Sequence, residues 1–78
     1  MARINYQSSL GDGYVIENGV DSASVLAARQ IARKNKLGGV LKCAYVGKDV
    51  DGGLAHYQAT FGRPGGQVTA ETMIFVSI

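Results

Sequence analysis

Apolar and polar residues alternate through most of this chain, and in one stretch alone the apolar ones recur at helical spacing. In RINYQS, residues 3–8, Ile4 and Tyr6 share one side, and YVIENGV at 14–20 is a second short apolar run. The intervening LGDG is turn chemistry, because glycine reaches positive φ at no steric cost, so the two runs predict a β-hairpin. VLKCAYV at 40–46 sets Leu41, Cys43 and Tyr45 against Val40, Lys42, Ala44 and Val46. LAHYQATF at 54–61 has the cleanest period of two, with Ala55, Tyr57, Ala59 and Phe61 on one face and His56, Gln58 and Thr60 on the other. The closing run QVTAETMIFVSI sets Val68, Ala70, Thr72, Ile74, Val76 and Ile78 against Thr69, Glu71, Met73, Phe75 and Ser77. Before it, GRPGG at 62–66 predicts a type II turn, Pro64 presetting φ and Gly65 taking the positive φ.

The helical stretch lies within GVDSASVLAARQIARKNKLGGV, residues 19–40. Asp21 suits the N-cap, its carboxylate accepting from free amides of the first turn, and Val20 and Val25 then stand at the positions of a hydrophobic staple. Gly38 suits the left-handed stop. At 100° per residue Val25, Ala27, Ala28, Ile31 and Ala32 share a broad apolar face, and Arg29, Arg33 and Lys36 form a stripe elsewhere, with Lys34 beside it.

The predicted order β-β-α-β-β-β, with tight turns and no crossover helices, specifies an α+β fold: an antiparallel β-sheet of about five strands with one α-helix packed on one face. All 78 residues are read as a single domain. A domain of about 60 residues buries only about 60% of its unfolded surface, and one cysteine makes no internal disulfide, so a partner subunit is the staple left open. The closing strand sharpens that expectation, since Met73 and Phe75 face away from its other apolar residues and a strand apolar on both sides must be covered twice. Cover over Met73 and Phe75 comes either from Leu10, Leu54 or the N-terminal hairpin, or from a second copy under two-fold symmetry.

Composition narrows the class of function. Hydrophobic residues make up 46% and charged residues 18%, a globular mixture, and a formal charge of +2 does not by itself demand a polyanion. No apolar run reaches the ~18 residues that span a bilayer, and MARINYQSS lacks the apolar core of a signal peptide, so no membrane association is expected and the expected compartment is the cytoplasm, of a host cell if the chain is viral. Catalysis needs a nucleophile and a base within reach, and the one cysteine, Cys43, and one histidine, His56, are predicted on opposite faces. No zinc spacing, calcium loop or phosphate-binding loop is present: Asp49 and Asp51 in KDVDGG belong to a turn, and Thr60 stands where a calcium loop needs a carboxylate. The expectation is therefore no enzyme, no metal and no cofactor.

RQIARKNKLGGVLK resembles the helix, Gly-Gly stop and strand of small linker domains in cyanobacterial light-harvesting complexes; it covers under a fifth of the chain and implies only a capped helix followed by a strand. A stand-alone domain this short also resembles many virus-encoded inhibitors and virion accessory proteins, a likeness of architecture alone. The residues themselves point to a non-enzymatic interaction protein acting on a protein partner by surface contact, as inhibitor, regulator or structural accessory subunit and as a homo-oligomer. Met73 and Phe75 are the expected apolar contact, and Arg29, Arg33 and Lys36 the expected charged contact. The alternative is a nucleic-acid-binding protein in which that basic stripe touches two or three phosphates.

Overall fold

The computed structural model describes residues 2–77, and Ile78, last in the predicted alternation, lies outside them. Six elements follow in the predicted order: β1 (Arg3–Ser8), β2 (Gly13–Ile16), α1 (Ala23–Asn35), β3 (Gly39–Lys48), β4 (Leu54–Arg63) and β5 (Gln67–Ser77). The strands form one antiparallel sheet in the order β2-β1-β5-β4-β3, so the fold is α+β and the closing strand stands in the middle. β3, β4 and β5 are joined by tight turns, and the N-terminal hairpin completes the sheet by laying β1 along β5.

α1 crosses one face. Ala27, Ala28, Ile31 and Ala32 meet Tyr6, Val15, Ala59, Phe61, Ile74 and Val76, and this single cluster is the core. Phe61, Ile74 and Ala59 are fully enclosed. Alanine on the helix side lets the backbone come close, so two large side chains, Phe61 and Ile74, fill the space beneath it. The helix face read from the sequence is the face that packs, except that Val25 is only half-buried and Ser24 takes a place in the buried set.

The helix ends differ from expectation. Ser22, not Asp21, is the N-cap: its φ of −67° and ψ of 154° are extended, and its Oγ accepts from the Val25 amide at 3.4 Å. Upstream, Asn18 Oδ1 accepts from the amides of both Val20 and Asp21 at 2.9 Å, a local turn that points Val20 into solvent at 86% exposure, so no staple with Val25 forms. At the other end Lys36, rather than Gly38, carries the left-handed cap, with φ 55° and ψ 47°. Its amide and that of Leu37 both reach the Ala32 carbonyl, the doubled acceptor pattern of a Schellman-type stop.

Two strands depart from simple alternation: β5 slips by one residue opposite Phe61 and Gly62, so Val68, pairing with Gly62, leaves the face of Ala70 and Ile74 expected for it and is 53% exposed. β3 has irregular register between Val40 and Lys42 and again between Tyr45 and Gly47. Each extra residue turns the rest of the strand over, so Val40, not Leu41, pairs with Phe61 and joins the face of Cys43 and Tyr45, while Leu41 is exposed. The turn after β4 is as read: Gly66 donates to the Arg63 carbonyl at 3.1 Å and Gly65 has φ 99°.

The caps give two opposite expectations. Ser22→Ala removes the acceptor for the first turn and should lower unfolding stability by about 1 kcal/mol in urea titration, whereas Asp21→Ala should cost less than that. Lys36→Gly relieves the left-handed strain of a residue with a Cβ and should raise stability by about 1 kcal/mol in the same measurement.

Candidate functional site

Two surfaces remain open once the helix has covered its side of the sheet. The first is the opposite face. Cross-strand pairing places Met73 beside Gln58, and Phe75 between His56 on β4 and Gln7 on β1. The His56 ring stands edge-on to Phe75, centroids 4.7 Å apart and planes at 87°. His56 Nε2 lies 2.9 Å from Asp49 Oδ1 of the turn after β3, yet it makes no well-directed hydrogen bond among the described residues. Met73 and Phe75 are thus half-buried by strand neighbours. Of the three expected sources of cover, the N-terminal hairpin extends the sheet in its own plane and Leu10 packs on the core at the helix side, whereas Leu54, paired with Ser77, stands half-buried on this face diagonal to Phe75.

The second surface is the groove between α1 and β2, one edge of the sheet. It has a volume of about 490 Å³ and its walls include Tyr14, Val15, Ile16, Leu26, Arg33 and Lys34. At its floor Gln30 Nε2 donates to the Tyr6 hydroxyl at 2.7 Å and to the Tyr14 carbonyl at 3.2 Å. Gly13 leaves the room for this arrangement, because a Cβ there would stand 2.8 Å from the Tyr6 oxygen and 3.1 Å from Gln30 Nε2. The Arg3 guanidinium carbon lies 3.9 Å above the Tyr14 ring, a cation-π contact that adds charge at this edge.

The basic stripe is divided by the tertiary structure. Arg29 Nη1 binds Asp21 Oδ2 at 3.1 Å, so that cation is already matched. Arg33 lines the groove together with Lys34, and neither has a carboxylate partner among the described residues. Lys36 lies past the last helical turn, in the cap. Arg29, Arg33 and Lys36 therefore meet three different surroundings, and the cationic pair that shares a surface is Arg33 with Lys34. Sequence spacing did not single out that pair, because Lys34 lies off the stripe and matters only once β2 is known to run beside it.

Cys43 and His56 do not meet. Cys43 pairs with Ala59 on the helix side of the sheet, and His56 points from the other side with Phe75. Burial pushes the Cys43 thiol above its ordinary range, with the nearby Ser24 hydroxyl pulling the other way. Among the described residues no three His, Cys, Asp or Glu side chains gather as a metal site would need. No helix in the structure is long and apolar enough to cross a membrane. Comparison of the chain with protein families, with curated proteins and with solved structures finds no match.

A raised thiol pKa keeps Cys43 protonated, so iodoacetamide at pH 8 should modify the folded protein several-fold more slowly than the urea-unfolded chain, with the gap narrowing as pH rises. The same sign predicts stability that is intact below the thiol's unfolded pKa and declines as pH rises through the folded one, and Cys43→Ala should remove that share of the decline. Equal alkylation rates in the two states would contradict the buried placement.

Proposed function

We propose that this chain is a non-enzymatic interaction protein that works in the cytoplasm by surface contact with a protein partner, as an inhibitor, regulator or structural accessory subunit, and that it pairs with a second copy through its bare sheet face. The observation that supports this reading is the half-covered centre of the sheet. β5 is the middle strand, so Met73 and Phe75 stand at the centre of the face opposite α1, flanked by Gln7, His56 and Gln58, with Glu71 and Thr60 next along the strands. An apolar centre within a polar border is the usual anatomy of a protein contact. Pairing of this patch with its own copy about a two-fold axis would close the assembly at two copies.

A second reading, direct nucleic-acid binding, is supported by Arg33 and Lys34, which are exposed and lack carboxylate partners among the described residues. Of the expected stripe only Arg33 and Lys36 are then available, since Arg29 is paired, and a site of two or three cations holds two or three phosphates.

Light scattering on the purified chain should give the mass of a dimer, and Met73→Asp or Phe75→Asp should shift it to that of a monomer while far-ultraviolet circular dichroism stays unchanged. A monomer mass for the unmodified chain at ~100 µM would contradict the dimer, since so weak a contact is below what a specific interface supplies. Electrophoretic shift of duplex and single-stranded oligonucleotides at low salt tests the second reading; replacement of Arg33, Lys34 and Lys36 with Glu should abolish any shift seen.

A further inference from the structure

We propose that the groove between α1 and β2 is a docking site for an extended acidic peptide, which adds to the sheet as a sixth strand along β2. This rests on the reading of the chain as a protein-binding module, and it uses neither Met73 nor Phe75 nor a dimer made through them.

The backbone argument starts from register. Glu17 donates to the Ala2 carbonyl at 3.0 Å, and β1 and β2 pair Ile4 with Val15 and Tyr6 with Gly13. In an antiparallel ladder hydrogen-bonded pairs alternate with unbonded ones, so Gly13 and Val15 direct their amides and carbonyls inward to β1. Tyr14 and Ile16 direct theirs outward, to the free edge. Of these four outward groups, the Tyr14 carbonyl is held by Gln30, and no hydrogen bond to the Tyr14 amide or to the Ile16 amide and carbonyl comes from a side chain or turn among the described residues. An incoming strand finds two donors and one acceptor at hydrogen-bonding spacing, the arrangement used wherever a peptide augments a sheet edge.

The side walls select the occupant. On the helix side Val15 and Leu26 supply apolar surface at the base, with Arg33 and Lys34 beside them, while the side chains of Tyr14 and Ile16, 46% and 49% exposed, project from the other face of β2, where they pair with Asn5 and Arg3. Arg3 lies over Tyr14 on that other face, so the helix-side cations are Arg33 and Lys34 alone among the lining residues. Asp21 is paired with Arg29, and neither Asp12 nor Glu17, the carboxylates flanking β2, forms an ion pair with Arg33 or Lys34 among the described residues. Alternate residues of an added strand point to opposite faces, so a strand of alternating β-branched and acidic residues sets its carboxylates on the helix side toward Arg33 and Lys34 and its apolar side chains on the other side beside Tyr14 and Ile16. A phosphate backbone would meet the same cations, but it has no amides or carbonyls for the edge of β2 to pair with.

The other edge is a poorer host. β3 is bulged twice and carries Lys42 and Lys48, devices that discourage strand addition.

The test uses a fluorescein-labelled acidic octapeptide, TVEVDVEV, a basic counterpart with Lys for each acid, and a labelled thymidine octanucleotide, with fluorescence anisotropy and amide chemical shifts of the full chain. The acidic peptide should bind saturably with Kd on the order of 10–100 µM, and the largest shifts should fall on Tyr14 and Ile16. Arg33→Glu with Lys34→Glu should weaken it at least about tenfold. Lys42→Glu with Lys48→Glu makes the same change in net charge at the far edge and should leave Kd within about twofold. Ile16→Pro, tolerated at an edge because its amide points outward, should weaken binding about fivefold or more through the lost donor. Absence of saturable binding, equal affinity for the basic peptide, shifts centred elsewhere, or binding of the oligonucleotide alone would each overturn the proposal. Peptide binding by a chain of monomer mass leaves the groove standing and removes the dimer, and a dimer without peptide binding does the reverse.

Discussion

The structure depends on one close contact, between a helix faced with alanine and the middle of a five-stranded sheet. Ala27, Ala28 and Ala32 let α1 approach, and Phe61 and Ile74 fill the space under it so completely that both are sealed from solvent. A 13-residue helix is about 20 Å long at 1.5 Å per residue, which suffices to cross the sheet on one side and no more. Everything exposed on the molecule stems from that economy of cover. The face behind Ile74 and Val76 is bare because the only helix among the described residues is already in use.

Sheet order decides what is left on the bare side. With β1 laid along β5, the N-terminal hairpin widens the sheet and does not fold over it. Met73 and Phe75 then depend on their strand neighbours, and the edge-on packing of His56 against Phe75, with Asp49 closing over the imidazole, supplies part of the missing cover. The result is a central strand dry on the helix side and half-wet on the other.

The two edges are treated differently, and the difference has electrostatic consequences. β3 is long, twice bulged and carries Lys42 and Lys48; β2 has four residues and a side-chain lock from Gln30. α1 runs beside β2, so the unmatched cations Arg33 and Lys34 gather along a free backbone edge, while Arg29 is neutralised upstream by Asp21. Complementary charge beside open hydrogen-bonding groups is a combination suited to a polypeptide more than to a flat charged surface.

Much of this architecture was legible in the chain. Period-two and helical patterns gave the element order, the faces of α1 and β4, the type II turn at Arg63 to Gly66 and the separation of Cys43 from His56, because each depends on which side of its own element a residue occupies. The helix caps were misplaced by a residue or two, since Asp21, Ser22 and Lys36 compete through local geometry that Asn18 and the Ala32 carbonyl decide. The bulges of β3 exchanged Leu41 for Val40 on the packed face, because an inserted residue reverses alternation without marking itself in composition. Above all, the sequence could not say that β1 lies beside β5 or that β2 becomes an edge next to Arg33 and Lys34. Those facts arise from pairing between segments roughly 70 residues apart, where the free energy of packing and strand exchange, not the local pattern, chooses the neighbour.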